Sequence, residues 1–460
     1  MTKSKTVDGK GALEPLREWF REHRITEVEC LVADLTGEAK GKIVPANRYI
    51  NGEAPRLPDS VFGKTVTGDY PDDMDEMFSP TDRDMQMVPD AGTCRLVPWA
   101  QDATAQIIHT CRYMDGTEVD VNPRYVLRRV VDKFSELGLT PIVAPEMEFY
   151  LVKPNIDADY PLEPPAGRTG RADTSRRAYS IDAANEFDPI FEDVYDYCEA
   201  QDLDVDTLIH EEGSGQMEVN FRHAESVDLA DQVFYFKRTL RVAALKHGIV
   251  GPFMAKPMAG EPGSAMHVHQ SLLDVRSGAN VFAGNDGPSD VFRHYVAGLQ
   301  KYLPLGLALI APNVNSYRRL FPHAASETAA PVNTEWGRDN RTVGLRMPYS
   351  GPADTRIENR LAGADANPYI AIALSLACGY LGLQEKLEPR PEVKGSGYER
   401  DHNLPSDFGR ALDALEGCAP LRELLGDRFI RTYLAVKRAE LSAHFSVISS
   451  WEREYLLLRV

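Results

Sequence analysis

The chain lacks an excess of basic residues, and this excludes some classes of partner. Its 460 residues include 51 lysines and arginines against 69 aspartates and glutamates, which gives a formal net charge of −18. Nucleic acids and anionic membrane surfaces bind proteins through basic patches, so neither is expected as the main partner. The hydrophobic content of 43% and the charged content of 26% are typical of a globular protein.

Paired cysteines and long apolar runs are also missing. The six cysteines are scattered and form no CxxC pair, so reduced thiols in the cytoplasm are expected, not a zinc site or a disulfide framework. The N-terminal stretch MTKSKTVDGKG has no apolar run of the kind found in signal peptides. The most apolar stretch, residues 369–383, is too short to span a bilayer and is expected to form a buried helix.

A domain boundary is indicated near residue 120. Asn122 is a plausible N-cap, Pro123 suits the first helical position, and apolar residues follow at helical spacing until Gly138. Before this helix, residues 25–115 suggest short strands and loops, including a hairpin that turns near Gly37. After it, strands alternate with long helices. We therefore predict an α+β chain with a small β-rich domain over 1–119 and a larger domain over 120–460.

Four segments with the alternation of β-strands carry polar residues two positions apart: 144–152, 213–221, 263–271 and 355–361. Side chains two apart on a strand lie on the same face. The polar faces contain Glu146 and Glu148; Gln216, Glu218 and Asn220, with Glu211 just upstream; His267 and His269; and Arg356, Glu358 and Arg360. If these strands share one sheet, their polar faces line a single cavity.

Such a crowd of carboxylates is costly unless cations neutralise it. Carboxylates with one histidine and no thiolate suit the hard divalent ions Mg²⁺ or Mn²⁺ better than zinc. A single alternating strand is more often a half-solvated sheet face, and a lone histidine beside it is usually a hydrogen-bonded core residue. Four such segments that share Glu, His and Arg favour the metal site.

Arginines in the C-terminal half extend this interpretation. They are Arg319, Arg341, Arg346, Arg356 and Arg360. Guanidinium groups bind carboxylates and phosphates in a bidentate manner. Acids that hold metals, with arginines facing them, suggest a site for an anionic nucleotide and an anionic co-substrate, as phosphoryl transfer requires. Because neither G-x-x-x-x-G-K-[ST] nor G-x-G-x-x-G is present, a P-loop or Rossmann enzyme is excluded.

Six ordered motifs resemble those of type I glutamine synthetase over nearly the whole chain. They are PEMEF, HEEGSGQMEVN, GSAMHVHQSL, NSYRRL, NRTVGLRMP and RIENRLAGADANPYIAIA. FMAKPMAGEPGSAMHVHQS, AGADANPY and ISSWEREYLL are most similar to the γ-glutamylputrescine synthetase branch. The resemblance implies an N-terminal β-grasp domain and a catalytic half-barrel domain with helices. It also implies a dodecamer of two hexameric rings, with each active site between neighbouring subunits.

The resemblance further implies a role for individual residues. One metal ion would be bound by Glu148, Glu211 and Glu218, and the other by Glu146, His267 and Glu358. Glutamate would be held by Gly263, Arg319 and Arg360. The phosphates would face Arg341, Arg346 and Arg356, with His269 and Ser271 beside the nucleotide. The amine would be met by Glu211 and by Asp34 of a neighbouring subunit.

The implied reaction is the ATP-dependent ligation of L-glutamate to an amine through a γ-glutamyl phosphate, which also yields ADP. The sequence departs from ammonia-using enzymes at three places. Pro262 replaces an asparagine, Ala329 stands where a flap glutamate is usual while Glu327 is out of register, and His402 replaces the tyrosine that regulated forms modify. No control by adenylylation is therefore expected.

The departures favour putrescine, another polyamine or an alkylamine as the acceptor. The acidic loop 68–78 is a candidate for meeting the second ammonium group of a diamine, although an exposed charge run is usually just solvated. Glutamine synthetase itself stays as an alternative. A non-catalytic family member is a second alternative, disfavoured because every metal-ligand position is filled.

Overall fold

The structure is a computed structural model that describes residues 9–52, 55–285, 287–321 and 330–460. The strands are β1 (Glu27–Ala33), β2 (Ala39–Pro45), β3 (Arg56–Pro58), β4 (Asp84–Pro89), β5 (Arg95–Leu96), β6 (Thr104–Tyr113), β7 (Leu139–Tyr150), β8 (Val205–His210), β9 (Gln216–Phe221), β10 (Ala224–Glu225), β11 (Met266–Asp274), β12 (Ala283–Gly284), β13 (Gly287–Pro288), β14 (Trp336–Arg338), β15 (Leu345–Met347) and β16 (Ile357–Asn359).

The α-helices are α1 (Gly9–Glu22), α2 (Ala46–Ile50), α3 (Pro123–Glu136), α4 (Ile181–Asn185), α5 (Asp188–Ala200), α6 (Ser226–Lys246), α7 (Asp290–Gly306), α8 (Val314–Leu320), α9 (Pro368–Glu385), α10 (Phe408–Glu416), α11 (Ala419–Leu425), α12 (Asp427–Phe445) and α13 (Ser450–Leu456). Strands dominate the first third of the chain, and helices alternate with strands after it, as the predicted α+β class requires.

The first sheet belongs to the N-terminal third. Its strand order is β2-β1-β6-β4-β3, and β5 pairs with β6. The strands β1 and β2 form the predicted hairpin, which turns at Gly37 with a φ of +84°. A positive φ is easily adopted only by glycine, so this residue fixes the position of the turn. Helix α1 covers the sheet and buries Leu16 and Phe20.

Helix α3 links the two sheets and has the predicted ends. The side-chain oxygen of its N-cap, Asn122, accepts a hydrogen bond from the Arg124 amide at 2.9 Å, and Pro123 is the first helical residue. Gly138 has a φ of +72° just beyond the last turn, a conformation that ends helices. The apolar face of α3 buries Val126, Val130 and other residues against the second sheet and helix α9.

The second sheet has the strand order β14-β15-β16-β11-β7-β9-β8, with β10 pairing with β7. The four segments predicted to share a sheet are β7, β9, β11 and β16, and they are consecutive neighbours in it. Met147, Phe149 and Met217 point from one face into the main hydrophobic core. Because side chains alternate along a strand, the acids between them point to the opposite face.

The predicted buried helix is α9. Its side chains from Tyr369 to Cys378 are almost completely enclosed, and its N-cap, Asn367, accepts a hydrogen bond from the Tyr369 amide at 2.9 Å. Helix α7 packs against it at glycine positions, since a Cβ on Gly298 would lie only 2.2 Å from the Cys378 carbonyl oxygen. Within the described residues, no helix combines the length and the apolar character needed to cross a membrane.

The C-terminal tail projects its apolar residues into solvent. Helix α13 and the residues after it expose 61% of Trp451, 76% of Leu457 and 93% of Leu458. The described part of the chain therefore leaves this surface uncovered.

Candidate active site

The polar face of the second sheet lines a cavity of about 480 Å³. The predicted site residues that line it are Glu146, Glu148, Glu211, Glu218, Gly263, His267, Arg319, Arg341, Arg346 and Arg360. The structure thus gathers most of the predicted acids and arginines around one space.

Strand register explains how the acids meet. Glu148 of β7 lies directly opposite Glu218 of β9, and Glu146 lies opposite His267 of β11. On the other side of β11, His269 lies opposite Glu358 of β16. Directly opposed side chains in antiparallel strands are close neighbours. Three strand pairings therefore place four carboxylates and two imidazoles next to one another on one face of the sheet, with His267 3.2 to 3.8 Å from Glu146, Glu148 and Glu358.

Glu146 is bound by both histidines. Its Oε1 lies 2.8 Å from His269 Nε2, and its Oε2 lies 3.2 Å from His267 Nδ1. Burial alone would raise the pKa of this carboxyl group, but the hydrogen bonds and the charge of the two imidazoles outweigh burial and hold the pKa well below its usual range. Glu146 therefore stays a carboxylate inside the cavity.

Glu148 and Glu218 lack such compensation. Burial, reinforced by the charge of Glu211, raises the pKa of Glu148 to about 8. Burial and the charges of Glu146 and Glu148 raise the pKa of Glu218 to about 10. Glu211 is shifted in the same direction, mainly by burial. This side of the cavity holds more negative charge than the nearby protein cations neutralise.

Glu358 is the opposite case. Its side chain is 0% exposed, its Oε2 accepts a hydrogen bond from Arg346 Nη1 at 2.9 Å, and its Oε1 accepts one from Arg360 Nη1. Burial disfavours the charged carboxylate, but the Arg360 guanidinium and the two neighbouring histidines lower the pKa of Glu358 to about 2. A fully buried acid is thus held in its ionised form by two arginines.

The donor set fits divalent cations. Two groups of potential ligand atoms lie within 4.8 Å of one another in the described residues: Glu146, His269 and Glu358, and Glu146, Glu218 and His267. These groups differ from the two implied sets: Glu146 belongs to both, and His269, which was predicted to lie beside the nucleotide, joins Glu146 and Glu358 in one of them. Carboxylate oxygens with imidazole nitrogens suit Mg²⁺ or Mn²⁺, and the raised pKa values of Glu148 and Glu218 indicate where positive charge is missing.

Gly263 and Arg319 form the floor of the same cavity. Arg319 is 4% exposed and donates hydrogen bonds to the carbonyl oxygens of Leu361 and Arg360, at 3.0 and 2.8 Å. A Cβ on Gly263 would lie 2.5 Å from Arg319 Cγ. Only glycine therefore leaves room for the Arg319 side chain beside this position. The two residues implied to hold glutamate are thus in contact.

A second cavity of about 890 Å³ contains the predicted nucleotide residues. His269, Ser271 and Arg356 line it, and it shares Glu146 and Asn220 with the first cavity. Arg356 Nε donates a hydrogen bond to His269 Nδ1 at 3.2 Å. Because His269 also contacts Glu146, a chain of contacts runs from the larger cavity to the acids. Arg341 lies at the exposed mouth of the smaller cavity.

Asp34 lies elsewhere. Its carboxylate, 4% exposed, accepts hydrogen bonds from the Thr36 and Glu38 amides at 2.9 and 3.0 Å in the β1–β2 turn. Its carbonyl oxygen accepts a hydrogen bond from Asn367 Nδ2 at 2.8 Å. Among the residues that the structure describes, Asp34 is not one of those that line the acidic cavity of its own chain.

Two other predicted features also lie away from this cavity or outside the structure. Asp72, Asp73 and Glu76 of the acidic loop line a separate depression beside helix α12. Glu327 and Ala329, on which the flap argument depends, lie outside the described residues.

Three residues that no sequence pattern marked also line the acidic cavity: Tyr179, Glu212 and Tyr398. Tyr179 has a φ of +62°, which is unusual for a residue with a side chain. Its amide donates a hydrogen bond to the His210 carbonyl oxygen at 2.8 Å. Residues 153–180 are mostly irregular, so no periodic pattern marked this tyrosine.

Comparisons with known proteins match the whole chain. The family model described as "Glutamine synthetase, catalytic domain" matches residues 120–456. "Gamma-glutamylputrescine synthetase PuuA" of Escherichia coli (strain K12) is 35% identical over 98% of this chain and 95% of its own length. The "Glutamate--isopropylamine ligase" of Pseudomonas sp is 30% identical over 97% and 98%. The "Glutamine synthetase" of Pyrococcus abyssi (strain GE5 / Orsay) is 34% identical over 92% of each chain.

The three-dimensional comparison agrees with these matches. A solved structure of a GmaS/ADP complex aligns with a TM-score of 0.82 and 26% identity, covering 96% of this chain and 99% of that one. The predicted fold class is thereby confirmed.

Proposed function

The chain belongs to the glutamine synthetase family of ATP-dependent carbon–nitrogen ligases, and from this premise we propose that it joins the γ-carboxylate of L-glutamate to a primary amine. One observation supports this proposal above the others: the acids of β7 and β9, with His267 of β11, line a single cavity together with Arg319, Arg346 and Arg360. That arrangement can hold an anionic amino acid beside a phosphate chain.

The first chemical step would form an acyl phosphate. An oxygen of the γ-carboxylate of glutamate attacks the γ-phosphorus of ATP, the bond to the β-phosphate oxygen breaks, and ADP leaves. Arg346, held in place by Glu358, and Arg341 at the mouth would neutralise the charge that develops on the phosphoryl oxygens. Mg²⁺ or Mn²⁺ held by the cavity acids would add Lewis-acid neutralisation of the same oxygens.

The second step would consume the acyl phosphate. The ammonium form of the amine gives up one proton, the neutral nitrogen attacks the γ-carbonyl carbon, and the carbon–oxygen bond to phosphate breaks as the nitrogen loses a second proton, leaving a γ-glutamylamide and inorganic phosphate. Glu211 is the acid of this chain best placed to hold the incoming ammonium group, because it lines the cavity beside Glu212. Asp34 from a neighbouring subunit would complete this pocket and act as proton acceptor.

A primary amine is favoured over ammonia by the relatives and by the sequence. Two of the similar proteins named above carry names that specify an amine, and both align over at least 97% of this chain. Pro262 removes a polar side chain next to Gly263, and the acid usual in the flap is not in register. Ammonia remains the second candidate because the Pyrococcus abyssi relative, at 34% identity, is a glutamine synthetase.

The test is ADP release by the purified protein with glutamate and a panel of acceptors: putrescine, isopropylamine, methylamine and ammonia. We expect alkylamines or diamines to give a higher kcat/KM than ammonia. A higher kcat/KM for ammonia would make the protein a glutamine synthetase. No ADP release with any acceptor would favour the non-catalytic alternative.

The acidic loop can be tested in the same assay. If its acids meet the distal ammonium of a diamine, a double Asp72→Asn/Asp73→Asn variant should raise KM for putrescine and leave KM for isopropylamine unchanged. Equal effects on both amines, or a wild-type preference for monoamines, would exclude this subsite.

We also propose a cytoplasmic homo-oligomer of two stacked rings. The exposed apolar tail supports it, since an apolar surface of this kind usually marks an interaction site.

A further inference from the structure

A buried carboxylate outside the cavity holds the turn that carries Glu211. Asp173 lies in the irregular segment 153–180, yet its side chain is only 3% exposed. Its Oδ2 accepts a hydrogen bond from the Gly215 amide at 3.0 Å and lies 3.0 Å from His210 Nε2. Its Oδ1 accepts a hydrogen bond from Arg177 Nη2 at 3.0 Å. A buried carboxylate with three partners is well satisfied.

His210 transmits this contact to the active-site acid. The imidazole is 1% exposed, and its second nitrogen, Nδ1, lies 2.7 Å from the carbonyl oxygen of Glu211. Asp173 therefore fixes both ends of the turn 211–215: the Glu211 carbonyl through His210, and the Gly215 amide directly. Between those ends lie Glu211 and Glu212, whose side chains line the cavity.

The same histidine ties the covering segment to the cavity rim. The His210 carbonyl oxygen accepts a hydrogen bond from the Tyr179 amide at 2.8 Å, and Tyr179 lines the cavity. The segment is thus attached to the end of β8 at two points, a side chain at 173 and a main-chain amide at 179. Its backbone at Tyr179 keeps a positive φ of 62°, a strained conformation that needs surrounding contacts to persist.

We infer that Asp173 and His210 are a positioning pair. They orient Glu211 toward the metal and amine pocket, and they hold Tyr179 in place at the edge of that pocket. This inference rests on the proposed function for its effect on ligation, but the geometry that it concerns is independent of which amine is used. Removal of a residue that hydrogen-bonds to and orients a metal ligand typically lowers metal affinity or activity by about 10- to 100-fold.

Three variants test this role. Asp173→Ala removes all three contacts. Asp173→Asn keeps one oxygen that can still accept from both Gly215 and His210, so it is the conservative variant. Glu186→Gln is the matched control: Glu186 accepts hydrogen bonds from the Thr169 amide and hydroxyl at 3.0 and 2.9 Å, and within the described residues its side chain makes no hydrogen bond to the turn 211–215.

Two readouts do not depend on turnover. Amide hydrogen exchange followed by mass spectrometry should show faster exchange in peptides that contain 211–216 for Asp173→Ala, with the β11 peptides unchanged. Mn²⁺ affinity, measured by electron paramagnetic resonance, should fall about 10- to 100-fold. Asp173→Asn should lose about threefold or less, because a neutral acceptor replaces a charged one, and Glu186→Gln should match the wild type.

The kinetic readout separates positioning from general damage. For Asp173→Ala we expect kcat to fall and KM for the amine to rise, while KM for ATP stays within about twofold, because the nucleotide residues lie on β11 and near β16. Wild-type exchange in 211–216 together with wild-type Mn²⁺ affinity in Asp173→Ala would overturn the inference. A wild-type protein that ligates no amine would refute the proposed function alone. If Asp173→Ala does not fold, His210→Ala, which removes the link between Asp173 and the Glu211 carbonyl, takes its place: faster exchange in 211–216 with Mn²⁺ affinity about 10- to 100-fold weaker is expected, and wild-type values in both readouts would overturn the inference.

Discussion

Replacing Glu218 by glutamine is expected to stabilise the metal-free protein, whereas the same replacement at Glu358 is expected to destabilise it. Both acids are almost fully buried and both face the same site. They differ in their neighbours, since Glu218 is surrounded by Glu146, Glu148 and Glu211, while Glu358 is bound by Arg346 and Arg360.

The size of each effect follows from these neighbours. The pKa of Glu218 is raised from 4.5 to about 10 in the folded protein, so the unfolded state gains stability relative to the folded one as pH rises above 4.5. Each pH unit changes the free energy of unfolding by about 1.4 kcal/mol, which limits the penalty at pH 7 to about 3 kcal/mol. Glutamine removes this penalty. At Glu358, loss of the charge leaves the buried Arg360 guanidinium without its ion-pair partner, while Arg346 keeps Asp339 at 2.6 Å, at a cost of about 3 kcal/mol.

The assay is urea denaturation of wild type, Glu218→Gln and Glu358→Gln in EDTA, at pH 5.5 and pH 7. The free energy of unfolding of Glu218→Gln should exceed that of the wild type by more at pH 7 than at pH 5.5, because the cost of the buried Glu218 in the wild type grows with pH. Mg²⁺ at a thousandfold excess over Kd should make the wild type more stable than Glu218→Gln, since a cation bound only by the folded wild type adds about 4.1 kcal/mol, which exceeds the penalty of about 3 kcal/mol. Both variants should lose ATP-dependent turnover.

Two results would refute this reasoning. If Glu218→Gln were destabilised in EDTA as much as Glu358→Gln, the acids would not be crowded in the metal-free cavity. If Glu358→Gln kept near-normal turnover in Mg²⁺, the assignment of Glu358 to the metal and phosphate site would be wrong.

Further predictions concern the glutamate site, the subunit contacts and regulation. Gly263→Ala should raise KM for glutamate about tenfold, because the new Cβ displaces Arg319 at a cost of about 1–3 kcal/mol. Steady-state kinetics should show this rise while KM for ATP stays unchanged. Light scattering should show an oligomer. If active sites are shared between subunits, Asp34→Ala and Glu211→Gln proteins, each inactive alone, should regain part of the activity when they are mixed and allowed to exchange subunits. Mass spectrometry of protein from cells should detect no AMP on Tyr398.

The strands and their polar faces could be predicted because alternation is a local property. Glu146 and Glu148 had to lie on one face once residues 139–150 formed a strand, and Asn122 and Gly138 marked the ends of α3 by known capping preferences. The order of the strands is not local. The sequence did not reveal that β11 separates β16 from β7, which is why Glu146 contacts both histidines and is shared by the two ligand groups.

Long-range contacts account for most of what was missed. The role of Asp173 depends on a carboxylate in an irregular segment meeting a histidine 37 positions later, and no spacing rule predicts that contact. Helix α1 contains Pro15, a residue that disfavours helix interiors, so the sequence did not suggest a helix there. The resemblance implied that Asp34 serves a neighbouring subunit, but no pattern in the residues themselves predicted its separation from the cavity of its own chain.

The hydrogen bond from Asn367 to the Asp34 carbonyl joins residues 333 positions apart. Asn367 also begins helix α9, and the stretch from 358 to 367 runs without a break from Glu358 and Arg360 to this contact. In a ring where Asp34 serves the adjacent site, each such stretch would connect a phosphate pocket to the amine pocket of the next subunit. If nucleotide binding displaced this stretch, amine affinity at the next site would change, and by reciprocity each ligand would change the affinity for the other by the same factor.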